Sequence, residues 1–120
     1  MKKTTIILGA SPKSDRYSYL ATERLVQHGH PVFAVGQREG IINETPINTK
    51  LPENQEIDTV TLYLNPGNQE AWYQQILDLK PKRIIFNPGT ENPTLEKMAA
   101  QAGIETTEAC TLVLLASDQY

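Results

Sequence analysis

Short apolar runs in this chain stop abruptly at glycine or at Asn-Pro, and a helical pattern follows most of these stops. Ile6-Ile7-Leu8 ends at Gly9, and Val35 is followed by Gly36. The run at 59–64 ends at Asn65-Pro66, and that at 83–86 ends at Asn87-Pro88-Gly89. Continuous β-branched and apolar runs of this length suit strands buried on both faces. Strands that alternate with helices imply parallel pairing through crossovers. The expectation is therefore an α/β fold: a three-layer sandwich, Rossmann-like, with an open, mostly parallel sheet and helices on both faces. The 120 residues make one domain, 1–120, with no internal repeat or linker.

The pattern predicts strands at 4–8, 31–36, 59–64, 83–86 and 104–107. It predicts a first helix at 16–28, with Tyr17, Leu20, Ala21 and Leu25 on one face. Ser14 or Asp15 is expected to cap its start, and Gly29 to close its end. A second helix should open at Asn65-Pro66 and bury Trp72, Ile76 and Leu79. A third should open at Asn92-Pro93, face Leu95, Met98, Ala99 and Ala102 inward, and end at Gly103. Residues 37–56 are polar and have room for one short strand, while "CTLVLL" at 110–115 reads as either strand or helix.

Composition removes several function classes. Eleven basic residues against fourteen acidic ones leave no basic stripe for a nucleic acid. No Lys/Arg-rich tail suits an anionic membrane, and no apolar run approaches the ~20 residues of a membrane span. The opening apolar stretch is too short for a signal peptide and reads as a strand. Cys110 is the single cysteine, so no internal disulfide forms. No Cys/His spacing suits zinc, and no metal is expected. A reducing cytoplasm fits these features.

In such a fold ligands sit beyond the carboxyl ends of the strands. The first turn, Gly9-Ala10-Ser11, leads into a helix start, where free N–H groups and the dipole favour an anion. Ser11 and Ser18 add hydroxyls, and Lys13 and Arg16 add positive charge. The set suits a phosphate, although neither G-x-G-x-x-G nor the P-loop pattern is present. After the second strand an NAD binder usually carries an acid. Here Gly36-Gln37-Arg38 stands instead, and an arginine suits a ribose phosphate, that of NADP or of coenzyme A.

The stretch "GASPKSDRYSYLATERLVQHGHPVFAV" resembles the opening of the small stand-alone CoA-binding proteins, with their G-A-S-x-x-x-x-R-x-S pattern. The resemblance extends through Asn65-Pro66, "NPGTENPTLEKMAAQAGIE" and the late cysteine of "TEACTLVLL". The CoA-binding domain of succinyl-CoA synthetases shares the fold and ligand class. The resemblance implies a diphosphate site at Gly9, Ala10, Ser11, Lys13, Arg16 and Ser18, and an adenosine-side loop at Val35, Gly36, Gln37 and Arg38. The remaining strand ends add Asn65, Pro66, Asn87 and Gly89, and Cys110 follows the last predicted strand. Where relatives often read Val-Asn-Pro, this chain reads Val35-Gly36-Gln37-Arg38, and "FNPGTEN" replaces an apolar-Gln-Gly turn.

No catalytic set is legible. His28 and His30 flank Gly29 at the far end of the first helix and read as solvent-facing loop residues. Asp15, Glu91 and Glu108 lie near the ligand edge but read as caps or solvated loops. Cys110 reads either as a buried small hydrophobe or as a thiol able to meet the CoA thiol. Trp72 and Tyr73 read as helix packing or as an interface, which leaves a homodimer open. The expectation is a non-catalytic module for coenzyme A. The alternative is an NADP-dependent oxidoreductase-like domain using the same cleft.

Overall fold

The computed structural model describes residues 2–120. Seven strands form one sheet. They are β1 (Thr5–Leu8), β2 (Val32–Val35), β3 (Gly40–Ile42), β4 (Thr45–Asn48), β5 (Thr59–Leu62), β6 (Arg83–Phe86) and β7 (Glu105–Glu108). Their order across the sheet is β3-β4-β2-β1-β5-β6-β7. All neighbours are parallel except β3 and β4. The helices are α1 (Tyr17–Gln27), α2 (Pro66–Gln69), α3 (Tyr73–Leu79), α4 (Pro93–Gln101) and α5 (Thr111–Ala116).

Alternation along β1 assigns the layers. Ile7 points to one face and packs with Ala21 and Leu25 of α1 and Leu115 of α5. Ile6 and Leu8 point to the other face and pack with Ile76 of α3 and with Leu95 and Ala99 of α4. All four residues of β1 and all four of β5 are buried, as a strand covered on both faces requires. This is the expected three-layer Rossmann-like sandwich. The chain runs from β1 to β2 on one side and later resumes at β5 on the other. The sheet thus divides beside β1, where α/β sheets of this kind open a crevice.

Several elements differ from the sequence expectations. Residues 37–56 hold two strands, not one: β3 and β4 form an antiparallel hairpin around Asn43-Glu44, with Asn43 at φ 55°. Asparagine tolerates that left-handed conformation, and it suits a two-residue hairpin turn. Only Ile42 and Ile47 of the hairpin are buried, and Pro46 looks like a strand breaker. The proline is accommodated because β4 pairs with β2 only from Ile47 onward.

The start of α1 also departs from expectation. Its N-cap is Arg16, which makes no side-chain cap, so neither Ser14 nor Asp15 performs that role. Tyr17 is 72% exposed, and Ser18 takes the buried position. The helix after Asn65 is split by a 3-10 turn at Glu70–Trp72. Within this segment the buried Gln69 amide donates to Leu64 O at 2.9 Å and to Thr90 O at 2.8 Å. In α4, Leu95 and Ala99 are buried, but Met98 is half-buried and Ala102 is exposed. The ambiguous "CTLVLL" stretch is helical and forms α5.

His30 is not solvent-facing. It is half-buried, its Nδ1 accepts the Lys3 N–H at 3.0 Å, and its ring lies 4.9 Å from that of Tyr120. Burial, followed by the charge of Lys2, holds its pKa below the ordinary imidazole value. His28 is exposed, as expected.

Candidate functional site

A cleft of about 850 Å³ opens at the carboxyl ends of β1, β2, β5 and β6. Four chain segments wall it, one after each of these strands. The first runs from Gly9 to Ser18. Gly9 has φ +105°, and a Cβ there would lie 2.8 Å from the Tyr63 carbonyl carbon. Only glycine fits such a backbone approached so closely. The Gly9 and Ala10 N–H groups both donate to Val35 O, at 2.8 and 2.9 Å. They shape the turn and are therefore already occupied, contrary to the simple picture of a glycine turn offering its amides to a ligand. The free donors lie further on, where Tyr17 and Ser18 open α1 and have no carbonyl of the helix before them.

Around that helix start stand Ser11, Lys13 and Arg16, the last two exposed. The first turn of α1 holds no acid. Ser11 Oγ accepts the Lys13 N–H at 3.2 Å, which leaves its hydroxyl hydrogen free to donate. An anion in this position would complete the missing cap.

Gln37, Arg38 and Glu39 follow β2 and form the opposite wall. Gly36 lies beneath them, and a Cβ there would meet Ala10 O at 2.4 Å. Glycine at this position lets the two turns touch backbone to backbone. The third and fourth segments contribute Tyr63, Leu64, Asn65 and Asn68 after β5, and Pro88, Gly89 and Thr90 after β6.

The structure thus brings together on one cleft Gly9, Ala10, Ser11, Lys13, Arg16, Ser18, Gln37, Arg38, Asn65 and Gly89. The other sequence candidates are placed differently. Val35 is buried and supplies the carbonyl under the first turn. Gly36 is buried and donates to Asn48 O at 2.9 Å. Pro66 opens α2, whose cap is Asn65, with its side chain accepting the Asn68 N–H at 2.9 Å. Asn87 is buried and donates to Thr61 Oγ1 at 2.7 Å and to Leu62 O at 2.8 Å. It also accepts the Thr111 N–H at 2.8 Å, so it ties β5 and β6 to α5. Cys110 is half-buried at the N-cap of α5 and does not line the cleft.

Sequence reasoning missed Pro12, Tyr17, Glu39, Tyr63, Leu64, Asn68, Pro88 and Thr90. Tyr63, Leu64 and Pro88 lie within three residues of a strand end, and Pro12, Glu39 and Thr90 lie one residue further, so only Tyr17 and Asn68 fall outside the strand-end positions. Glu39 places a carboxylate beside Arg38, one residue beyond Gly36-Gln37-Arg38. Tyr63 carries a buried hydroxyl with no hydrogen-bond partner among the described residues, and burial raises its pKa well above the usual phenol value.

Just outside the cleft, Glu91 Oε1 accepts the Gly89 N–H at 2.9 Å. Glu108 ends β7 in register with Phe86 at the same edge of the sheet. Burial and then Glu108 raise the carboxyl pKa of Glu96, and Glu91 adds to the effect. Among the described residues no group of three or more His, Cys, Asp or Glu could hold a metal ion. No described helix is long and apolar enough to cross a membrane.

The family model for a CoA binding domain matches residues 3–116. The chain belongs to that family. Among curated proteins none matches. An uncharacterised protein of known crystal structure is 49% identical, with TM-score 0.96; the match covers 100% of this chain and 99% of the other. A hypothetical protein from Pyrococcus horikoshii OT3 is 23% identical over 93% of this chain and 80% of its own, with TM-score 0.85. A Thermus thermophilus protein is 20% identical over 98% and 91%, also with TM-score 0.85. The likeness to these last two shows the fold of this chain, and the family itself indicates a CoA-binding module.

Proposed function

We propose that this chain is a non-catalytic module that binds coenzyme A, with the diphosphate against the turn from Gly9 to Ser18. The observation that carries the reading is the start of α1. It has no side-chain cap and no acid in its first turn, and it opens onto a large cleft beside Ser11, Lys13 and Arg16. Two helix N–H groups, a hydroxyl and two cations there make a complete set of donors for a diphosphate. Neither a histidine nor a carboxylate stands among these donors to activate a nucleophile.

Ser11→Glu tests the site. The longer side chain enters the diphosphate volume and brings a negative charge. Isothermal titration should show the Kd for CoA rising at least ~30-fold, equivalent to about 2 kcal/mol. Unchanged affinity in a folded Ser11→Glu protein removes the turn from consideration.

Arg38 stands on the opposite wall, exposed, where it can meet the ribose 3′-phosphate of CoA. Dephospho-CoA, which lacks that phosphate, should bind roughly 10–100-fold more weakly, the range of a charge-assisted hydrogen bond of 1.5–3 kcal/mol. Arg38→Ala should abolish the difference between the two ligands. Equal binding of CoA and dephospho-CoA to the wild-type protein refutes the role of Arg38. The same arginine would suit the 2′-phosphate of NADP, so NADP belongs in the same titration. Binding of NADP tighter than that of CoA reverses the choice of ligand.

A further inference from the structure

The charged side chains of the cleft are confined to one half of it. Lys13 and Arg16 follow β1, and Arg38 and Glu39 follow β2. The segments after β5 and β6 contribute Tyr63, Leu64, Asn65, Asn68, Pro88, Gly89 and Thr90, none of them charged. Tyr17 belongs to this neutral side by helical geometry. It lies about 200° around α1 from Tyr19, at 100° per residue, and Tyr19 packs against Ala34, Ile42 and Ile47 on the β3–β4 flank. The two tyrosines therefore occupy opposite flanks of the helix.

Beyond the neutral half stand two acids. Glu91 is bonded to the backbone of Gly89 on the cleft wall, and Glu108 stands at the same edge in register with Phe86. Both are exposed. These acids make no site of their own. They border the end of a cleft whose cations all lie at the other end.

We propose that the neutral half receives the uncharged arm of the ligand, and that the site selects a free thiol or a neutral acyl group over a thioester that ends in a carboxylate. This inference rests on the reading of the cleft as a CoA site. Asn65 and Asn68 offer neutral amides that complement an amide-bearing arm, and Tyr17, Leu64 and Pro88 offer apolar contact. A terminal carboxylate would enter a region without a cation and approach Glu91 and Glu108. Like charges brought together at a binding surface discriminate strongly against the wrong ligand.

The test compares three ligands by isothermal titration at low salt: CoA, butyryl-CoA and succinyl-CoA. The last two carry four-carbon acyl groups and differ chiefly in the terminal carboxylate. Butyryl-CoA should bind within ~3-fold of CoA, and succinyl-CoA at least ~10-fold more weakly than butyryl-CoA. Added salt should narrow that gap, because the acids are exposed. The double variant Glu91→Gln/Glu108→Gln should close most of it, with the thermal midpoint as the check on folding. Equal binding of succinyl- and butyryl-CoA overturns the selectivity while leaving the CoA site intact. A gap that persists in the folded double variant overturns the role of the acids. Failure of CoA itself to bind overturns the cleft reading, and this inference with it.

Discussion

Gly9→Ala should destabilise the fold by about 3 kcal/mol, a backbone-strain effect at the upper end of its usual range. Two costs combine. The residue sits at φ +105°, which side-chain-bearing residues rarely adopt. The new Cβ would also lie 2.8 Å from the Tyr63 carbonyl carbon and 3.1 Å from Leu64 N, both backbone atoms at the end of β5. Neither atom can swing aside as a side chain would. The turn must move, and with it the Gly9 and Ala10 bonds to Val35 O. Urea denaturation is the measurement, and the midpoint should fall by roughly 2 M for a domain of this size. Stability within about 1 kcal/mol of wild type would mean that the turn relaxes freely, and the account of Gly9 would be wrong.

Asn87→Leu should cost roughly 3–5 kcal/mol, although leucine is close to asparagine in size and more apolar. The substitution removes three hydrogen bonds together: to Thr61 Oγ1, to Leu62 O and from the Thr111 N–H. Thr61 and Thr111 keep their mutual hydroxyl contact of 2.8 Å, but the Thr111 amide at the start of α5 is left buried and unpaired. Each such orphan costs about 1–3 kcal/mol. Hydrogen exchange should show α5 losing protection before the central strands. Equal protection of α5 in wild type and Asn87→Leu, with unchanged urea midpoints, would reduce Asn87 to a passive core residue.

The two substitutions also show what was legible in the sequence. Ile6-Ile7-Leu8 and Ile84-Ile85-Phe86 could be read because a strand covered on both faces needs an unbroken apolar run. The cleft wall from Gly9 to Ser18 could be read because glycine, hydroxyls and cations gathered at one strand-to-helix junction. Asn87 stood at a strand end beside proline and glycine, and nothing local separates an asparagine facing a ligand from one facing the core. Its partners Thr61 and Thr111 lie 26 and 24 residues away. The β3–β4 hairpin was hidden because only two of its side chains are buried and Pro46 interrupts the signal. Tyr17 shares its helical spacing with Leu20 and Ala21. The rotation of α1 that buries Ser18 instead is set by how the helix packs, which no single-helix pattern contains.

The turn around Val35 O has a consequence for how such a protein can change. One carbonyl and the glycines at positions 9 and 36 set the path of the chain there, and the carbonyl belongs to the main chain whatever residue carries it. The exposed side chains of Lys13 and Arg16 decorate this frame, and Ser11 adds only a local bond from the Lys13 N–H. What the cleft accepts can therefore drift by surface substitution while the frame stays folded, so that the chemistry of the opening can diverge before the architecture registers any change.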